Sequence, residues 1–321
     1  MKDSIIMIEH EMKLKLELDN LVVLCGEQRV TYPLNKIECI VIDNMNASIT
    51  GRLLSKLAEM NVSLITTDKK HLPIGIYNPY YGYSRSSKML VAQIEFIKNC
   101  GHLWKEIVSV KINNQAKTLE LLDFDSRVVD NLINYSKSVE IDDMTNKESF
   151  AAKVYFNELM GVSFSRGNDE ILINGALDYA YAIIRSTIAK IGIGCGLNMH
   201  LGIHHRNEYN DYNLADDLIE PFRPIIDLYV YKLMYGEEFF SSTHRKDIVN
   251  ILYKKILYKD LNIDIGQAIK EYVKSFAKLI KDNENNIEYP CVENVEFAAV
   301  NYKFDHYIDD YIFSEVEKDE L

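Results

Sequence analysis

Two short runs hold the residues best suited to chemistry: Gly202-Ile203-His204-His205-Arg206, and Asn213-Leu214-Ala215-Asp216-Asp217-Leu218-Ile219-Glu220-Pro221-Phe222-Arg223-Pro224. Between them they supply two imidazoles, three carboxylates and two guanidiniums, set among Leu, Ile and Phe. That setting points to a site half inside a fold. Imidazole and carboxylates together suit a hard or borderline divalent cation. Residues 207–213 read as a loop, and a helix follows with Asp216 and Asp217 in its first turn, where carboxylates suit the helix dipole. On that helix Glu220 shares a face with Asp216 or Asp217. Pro221 and Pro224 are tolerated only near a helix start, so a boundary lies close by. The same spacing also describes a plain salt-bridged surface, because Asp216, Glu220, Arg223 and Asp227 fall at i, i+4, i+7 and i+11. The segment needs a partner from elsewhere in the chain.

A second informative stretch carries Glu148. In Thr145-Asn146-Lys147-Glu148-Ser149-Phe150-Ala151-Ala152, Thr145 and Glu148 have the spacing of a helix capping box, which is the sober reading of that glutamate. Ala151 and Ala152 follow one turn later and are small enough to let another element approach Glu148 closely.

The elements that must position these groups change character along the chain. Lys13 to Leu18 alternates with period two, Asp19-Asn20 turns the chain, and Leu21 to Leu24 returns, which predicts a hairpin. Ile37 to Ile42 predicts a further strand. Ser48 or Thr50 caps a helix with a stripe of Leu53, Leu54, Leu57 and Met60, and Val62 to Thr66 returns as a strand. Beyond Met89 the period is helical almost everywhere, with a long helix from about Asp169 to Lys190 ended by Gly192, Gly194 and Gly196. The expected fold class is therefore α+β: a small N-terminal β-rich domain (1–76), a linker (77–90), a larger all-α domain carrying the site (91–285), and an acidic C-terminal tail (286–321). In the linker, Tyr77, Tyr80, Tyr81 and Tyr83 stand beside Arg85 and Lys88, an interleaving of aromatic and basic groups that suits packing against the core, with nucleic-acid binding the alternative.

The chain has 321 residues, 47% of them hydrophobic, enough for one large or two ordinary domains. No apolar run reaches the ~20 residues of a membrane span. Five scattered cysteines without a C-x-x-C pair predict a reduced, cytoplasmic protein. The net charge of −12 speaks against a nucleic-acid binder until it is resolved by position. Residues 282–321 hold twelve acidic side chains and two lysines, a balance of −10, which leaves −2 for the other 281 residues. A DNA-binding surface is therefore open to the main body of the chain.

Four stretches together resemble a known family: Ile42-Asp43 through Thr50-Gly51-Arg52-Leu53-Leu54, Asn61 to Asp68, Glu148 to Phe156, and Gly202 to Asp227. The family is that of the CRISPR-associated spacer-integration endonucleases, the larger universal adaptation subunit, and the wording from Asn213 to Pro224 looks most like type II systems. The resemblance implies a metal-dependent DNA endonuclease and integrase that inserts spacers into a CRISPR array by 3′-hydroxyl attack on the repeat phosphodiester. It implies a homodimer built through the β domains, and a small ferredoxin-like companion subunit that bridges two dimers. Double-stranded prespacer and repeat DNA are the implied substrates, and other type II adaptation proteins are compatible partners; no membrane is involved. It further implies one Mg²⁺ or Mn²⁺ held by Glu148, His205 and Glu220, with Asp217 as a further acidic residue of the catalytic set. Asp217→Asn is accordingly expected to cost less than loss of Glu148 or His205. Arg85, Lys88, Arg206 and Arg223 are candidates for holding DNA phosphates, with salt bridging within the helix the alternative for Arg223. A structure-specific DNA-repair nuclease would use the same metal site and differ only in substrate. A tyrosine recombinase would act without metal, and a non-catalytic DNA-binding scaffold would tolerate neutralisation of Glu148.

Overall fold

The computed structural model describes residues 4–69, 71, 73–77, 79, 86–168 and 171–296. The chain divides into two compact units, one on either side of residues 81 and 82. The N-terminal unit has strands β1 (Ser4–Ile8), β2 (Lys13–Glu17), β3 (Asn20–Cys25), β4 (Gln28–Pro33), β5 (Ile37–Ile42) and β6 (Ser48–Ile49), then helix α1 (Gly51–Glu59) and strands β7 (Ser63–Thr67) and β8 (Pro73–Tyr77). They form two four-stranded sheets, ordered β1-β5-β7-β8 and β4-β3-β2-β6. Strands β1, β5 and β7 are parallel, and β8 closes that sheet antiparallel. Ile8, Ile40, Leu64, Leu14, Leu21, Val23, Leu53 and Leu57 from both sheets and α1 meet in one core.

Local rules account for most of this unit. The β2–β3 hairpin turns through Leu18 and Asp19, both at positive φ, as a tight primed turn requires. The Thr50 hydroxyl accepts the Leu53 N–H and caps α1. Strand β4 is not predicted by its sequence: Gln28-Arg29-Val30-Thr31-Tyr32-Pro33 is half exposed and is held chiefly by its ladder to β3.

The second unit has helices α2 (Ser86–Phe96), α3 (Gly101–Leu121), α4 (Ser126–Lys137), α5 (Lys147–Met160), α6 (Leu172–Gly194), α7 (Asn213–Ile219), α8 (Arg223–Met234) and α9 (Ser242–Val249). After these come β9 (Lys255–Tyr258), β10 (Leu261–Asp264), α10 (Ile265–Asp282) and β11 (Cys291–Glu296). The β-rich region followed by a mostly helical one is thus the expected fold class. Two details differ from the sequence reading. Inside the segment expected to be all-α, β9 and β10 join a small sheet ordered β10-β9-β11; Lys254, just before it, is buried beside the Tyr229 ring, and Lys255 at the start of β9 pairs with Asp264 at 2.8 Å. Within the segment read as an acidic tail, Cys291–Glu296 is a strand paired antiparallel with β9. Tyr80, Tyr81, Tyr83 and Arg85 of the proposed linker, and the tail beyond residue 296, lie outside the described residues.

Helix α3 is the axis of the helical unit. Trp104, Ile107, Val108, Ile112 and Leu119 are fully buried along it, and it packs against α4, α5 and α8. Burying so much aromatic and aliphatic surface contributes roughly 1.5–3 kcal/mol per large side chain. One stripe of the same helix is buried but polar: Lys111, Asn114, Gln115 and Thr118, at i, i+3, i+4 and i+7. That stripe faces the candidate site.

Candidate active site

Four elements converge: α3, the start of α5, the loop before α7, and the corner where α7 gives way to α8. At the corner, Glu220–Phe222 tightens into a 3-10 turn because Pro221 cannot continue an α-helix. Asn114 holds that corner by donating through Nδ2 to the carbonyl of Pro221 at 3.0 Å, and to Pro290 at 2.9 Å. The result buries Glu220 almost completely while aiming its carboxylate at α3.

Glu148 arrives from α5, and it is not a cap. Asn146 precedes that helix with positive φ and no side-chain capping bond. Asp143 caps it instead, accepting the N–H groups of Lys147 at 2.8 Å and Glu148 at 3.0 Å. This frees the Glu148 side chain for α3, which Ala151, fully buried one turn on, allows to pack close. Asp143→Ala is expected to remove about 1–2 kcal/mol of stability and to loosen Glu148, read as a lower Tm with reduced activity.

Between the two acids lies an ammonium group. Lys111 Nζ is 2.6 Å from Glu148 Oε1 and 2.5 Å from Glu220 Oε2. Arg223 Nε takes the other Glu220 oxygen at 2.8 Å, with its guanidinium stacked over the Tyr181 ring at 4.5 Å. Burial opposes ionisation of Glu220, but Arg223 and Lys111 outweigh it and hold its pKa well below the ordinary value. Burial likewise disfavours the Lys111 ammonium, and Glu220 and Glu148 overcome it, so its pKa is raised. Behind Arg223, Asp227 is buried and bonded to the Tyr181 hydroxyl, and burial lifts its pKa to about 6. Asp216 turns the other way, to Asn210 at 2.7 Å and Arg185 at 3.5 Å. Asp217, Glu220 and Asp227 are all at most 3% exposed, so the salt-bridged surface reading of this helix does not hold.

The histidine loop is built around Asp217. Its fully buried carboxylate accepts the N–H groups of Ile203, of His204 at 3.0 Å and of His205 at 3.1 Å, and also meets His205 Nδ1 at 2.6 Å. Gly202 is required here: a Cβ would lie 2.3 Å from the His205 carbonyl and 2.7 Å from Asp217 Oδ2. Asn213 ties the loop to itself through the carbonyls of His200, Asn207 and Asn210. Gln93 of α2, fully buried, pins its entry through Asn198 and Leu201.

The two histidines part ways. The His204 ring stacks flat on Trp104, with centroids 4.4 Å apart and planes 2° apart, whereas His205 meets Trp104 edge-on at 6.0 Å. The hydrogen bond to Asp217 raises the His205 pKa above its ordinary 6.5, against partial burial and with help from the charges of Asp217, Glu220 and Glu148. With Nδ1–H donating to Asp217, the lone pair is left on Nε2.

The structure therefore brings Glu148 and Glu220 onto one cation and sets His205 within their field. Asp217 stands behind His205 rather than beside the acid pair. Among the described residues, no group of three His, Cys, Asp or Glu side chains forms a ready metal cage. The donor set nonetheless fits a divalent cation, because the two carboxylates already converge on one positive charge, the Lys111 ammonium, and His205 is oriented as metal-binding imidazoles are. Of the expected phosphate contacts, Arg223 is committed to Glu220 and Tyr181. Arg206 is exposed and lines a cleft of about 600 Å³ beside the loop, with Ile94, Ile97, Lys98 and Leu201. Lys88 is exposed on α2, and Arg85 lies outside the described residues. Lys111, Asp143, Gln93 and Trp104 were missing from the sequence reading. A signal existed for Lys111: Lys111, Asn114, Gln115 and Thr118 recur at helical spacing.

Comparison with solved structures shows the fold first. A casposase bound to integration product superposes with TM-score 0.74 over 98% of this chain and 99% of that one, at 19% identity. The chain in a Cas6-RT-Cas1–Cas2 complex gives TM-score 0.70 over 88% of this chain and 35% of its own length, at 15% identity. The sequence then gives the family. The model for CRISPR associated protein Cas1 matches residues 5–255, and the chain belongs to that family. A relative in Neisseria meningitidis serogroup C (strain 8013), a CRISPR-associated endonuclease Cas1, is 33% identical over 290 residues, 89% of this chain and 95% of the relative.

Proposed function

We propose that this chain is the metal-dependent integrase of CRISPR adaptation, joining a prespacer 3′-hydroxyl to a repeat phosphodiester at the site formed by Glu148, His205 and Glu220. The observation that carries this reading is the convergence of two carboxylates, from α5 and the α7–α8 corner, on one cation beside a carboxylate-oriented histidine. Glu148, His205 and Glu220 would hold Mg²⁺ or Mn²⁺, which would supply Lewis-acid polarisation of the phosphodiester.

The rest is the work of the chain. Asp217 fixes the His205 tautomer and ring orientation. Trp104 and Gln93 hold the loop that carries it. Arg206 and Lys88 face solvent, where they meet phosphates as point charges that position DNA without reading its sequence. Water in place of the 3′-hydroxyl gives cleavage by the same site. The structural likeness to a chain within a Cas1–Cas2 complex supports a small companion subunit as partner, and a homodimer of this chain completes the assembly. A half-site integration assay in Mg²⁺ and Mn²⁺, with and without that companion, tests the reading. Cleavage of branched DNA without any strand transfer would favour a repair nuclease instead.

A pH dependence follows from His205. Its raised pKa means that protonation competes with metal binding over a window above the ordinary 6.5. Mn²⁺ affinity and activity are expected to rise with pH through that window. Metal-free stability runs the opposite way: the protonated His205–Asp217 pair contributes fully below the unfolded-state value, and its contribution is lost as pH rises through the folded one. Tm measured against pH in EDTA, beside Mn²⁺ affinity by calorimetry, separates the two slopes.

A further inference from the structure

Lys111 has no part in the chemistry above, yet it occupies the centre of the site. It is 8% exposed, and burying an ammonium is costly unless it is closely paired. An apolar residue would suit the interior of α3 better, so the two acids are what demand a charge there. Two carboxylates, one ammonium and the Arg223 guanidinium sum to zero. A divalent cation added with the ammonium still in place would leave two positive charges uncompensated in a buried site. Arg223 cannot give way, because its guanidinium is clamped between Glu220 and the Tyr181 ring. Lys111 can, because its charge rides on a flexible four-carbon stem.

Building on the metal-site reading above, we infer that Lys111 is a tethered counter-ion. It holds the place of the divalent cation between Glu148 and Glu220, keeps the acid pair together while no metal is bound, and is displaced when the cation enters. The site thereby trades metal affinity for a defined metal-free state, and the displaced ammonium is left beside the bound cation, where a DNA phosphate arrives.

The test is a Mn²⁺ titration of the native chain, Lys111→Met and Glu148→Gln, by calorimetry and by quenching of Trp104. That residue is the single tryptophan, and its ring lies 6.0 Å from that of His205. Lys111→Met is expected to bind Mn²⁺ about tenfold more tightly, since a like charge has been removed from the cation's side. It should also melt lower in EDTA and gain more Tm from Mn²⁺. Affinity equal to or weaker than native overturns the inference. If Lys111→Met is unfolded in EDTA, a cooperative melt restored by Mn²⁺ supports it. The native chain gives an independent measurement: acetylation of Lys111 by an amine-reactive ester, read by mass spectrometry, should be slow in EDTA and faster in saturating Mn²⁺. Unchanged or slower reaction overturns the inference. Failure of the native chain to bind Mn²⁺, or retained binding in Glu148→Gln, would instead remove the metal-site reading and the counter-ion with it.

Discussion

Replacing Glu148 by Gln is expected to lower both strand transfer and cleavage by about 10³-fold or more, while DNA affinity and Tm stay near those of the native chain. The substitution keeps the size of the side chain and an oxygen that still accepts from Lys111, so packing against α3 survives. What is lost is one negative charge facing the cation. Metal-ion stabilisation of a developing phosphoryl charge is worth several kcal/mol, and each ~1.4 kcal/mol is a factor of ten in rate. The fold should tolerate the change because α5 is capped by Asp143, which the substitution leaves intact. Half-site integration, gel-shift affinity and a thermal melt on the same preparation check all three parts. Activity within tenfold of native in saturating Mn²⁺ would sink the proposed mechanism, and an equal fall in Tm would show Glu148 to be structural.

Asp217→Asn is the second large effect, larger than the sequence alone predicts. Its place among the acidic residues of the helix ranks it below Glu148 and His205. Its surroundings raise it. Three backbone N–H groups and His205 Nδ1 all point at this carboxylate, and it is fully buried. An asparagine offers one acceptor oxygen where two are needed and turns an NH₂ toward donors, so at least one N–H is left facing another. Removing one partner of a buried charged network costs about 3–5 kcal/mol, and loss of a carboxylate behind a metal-binding imidazole typically costs about 10–100-fold in metal affinity. The expected result is a clear drop in Tm, a rise in the Mn²⁺ concentration required, and strand transfer only partly restored at high Mn²⁺. The pH midpoint of metal binding should also move down toward that of an ordinary histidine, because the hydrogen bond that raises the His205 pKa is weakened. A variant with native Mn²⁺ affinity and native midpoint would show that Asp217 does not position His205.

Much of the scaffold is legible in the sequence because it is local. The period-two run at Lys13, the turn after it (read at Asp19-Asn20, one residue beyond the Leu18-Asp19 that the fold uses), the Thr50 cap and the helical period beyond Met89 each rest on neighbours a few residues apart. Strand β4 was hidden because a half-exposed polar strand takes its stability from its ladder partner rather than from its own pattern. β11 was hidden by a charge run that reads as solvated. The site divides in the same way. Residue type and spacing mark the run from His204 to Arg223 as a possible divalent-cation site, and the family resemblance adds Glu148 to it. The roles of these residues are non-local. Which acid faces the cation and which stands behind the histidine depends on the tight corner at Pro221, on the Asp143 cap that frees Glu148, and on the approach of α3. Lys111 meets Glu148 and Glu220 only in the folded chain, because the three lie on different helices and no short-range pattern records that a charge is needed between them.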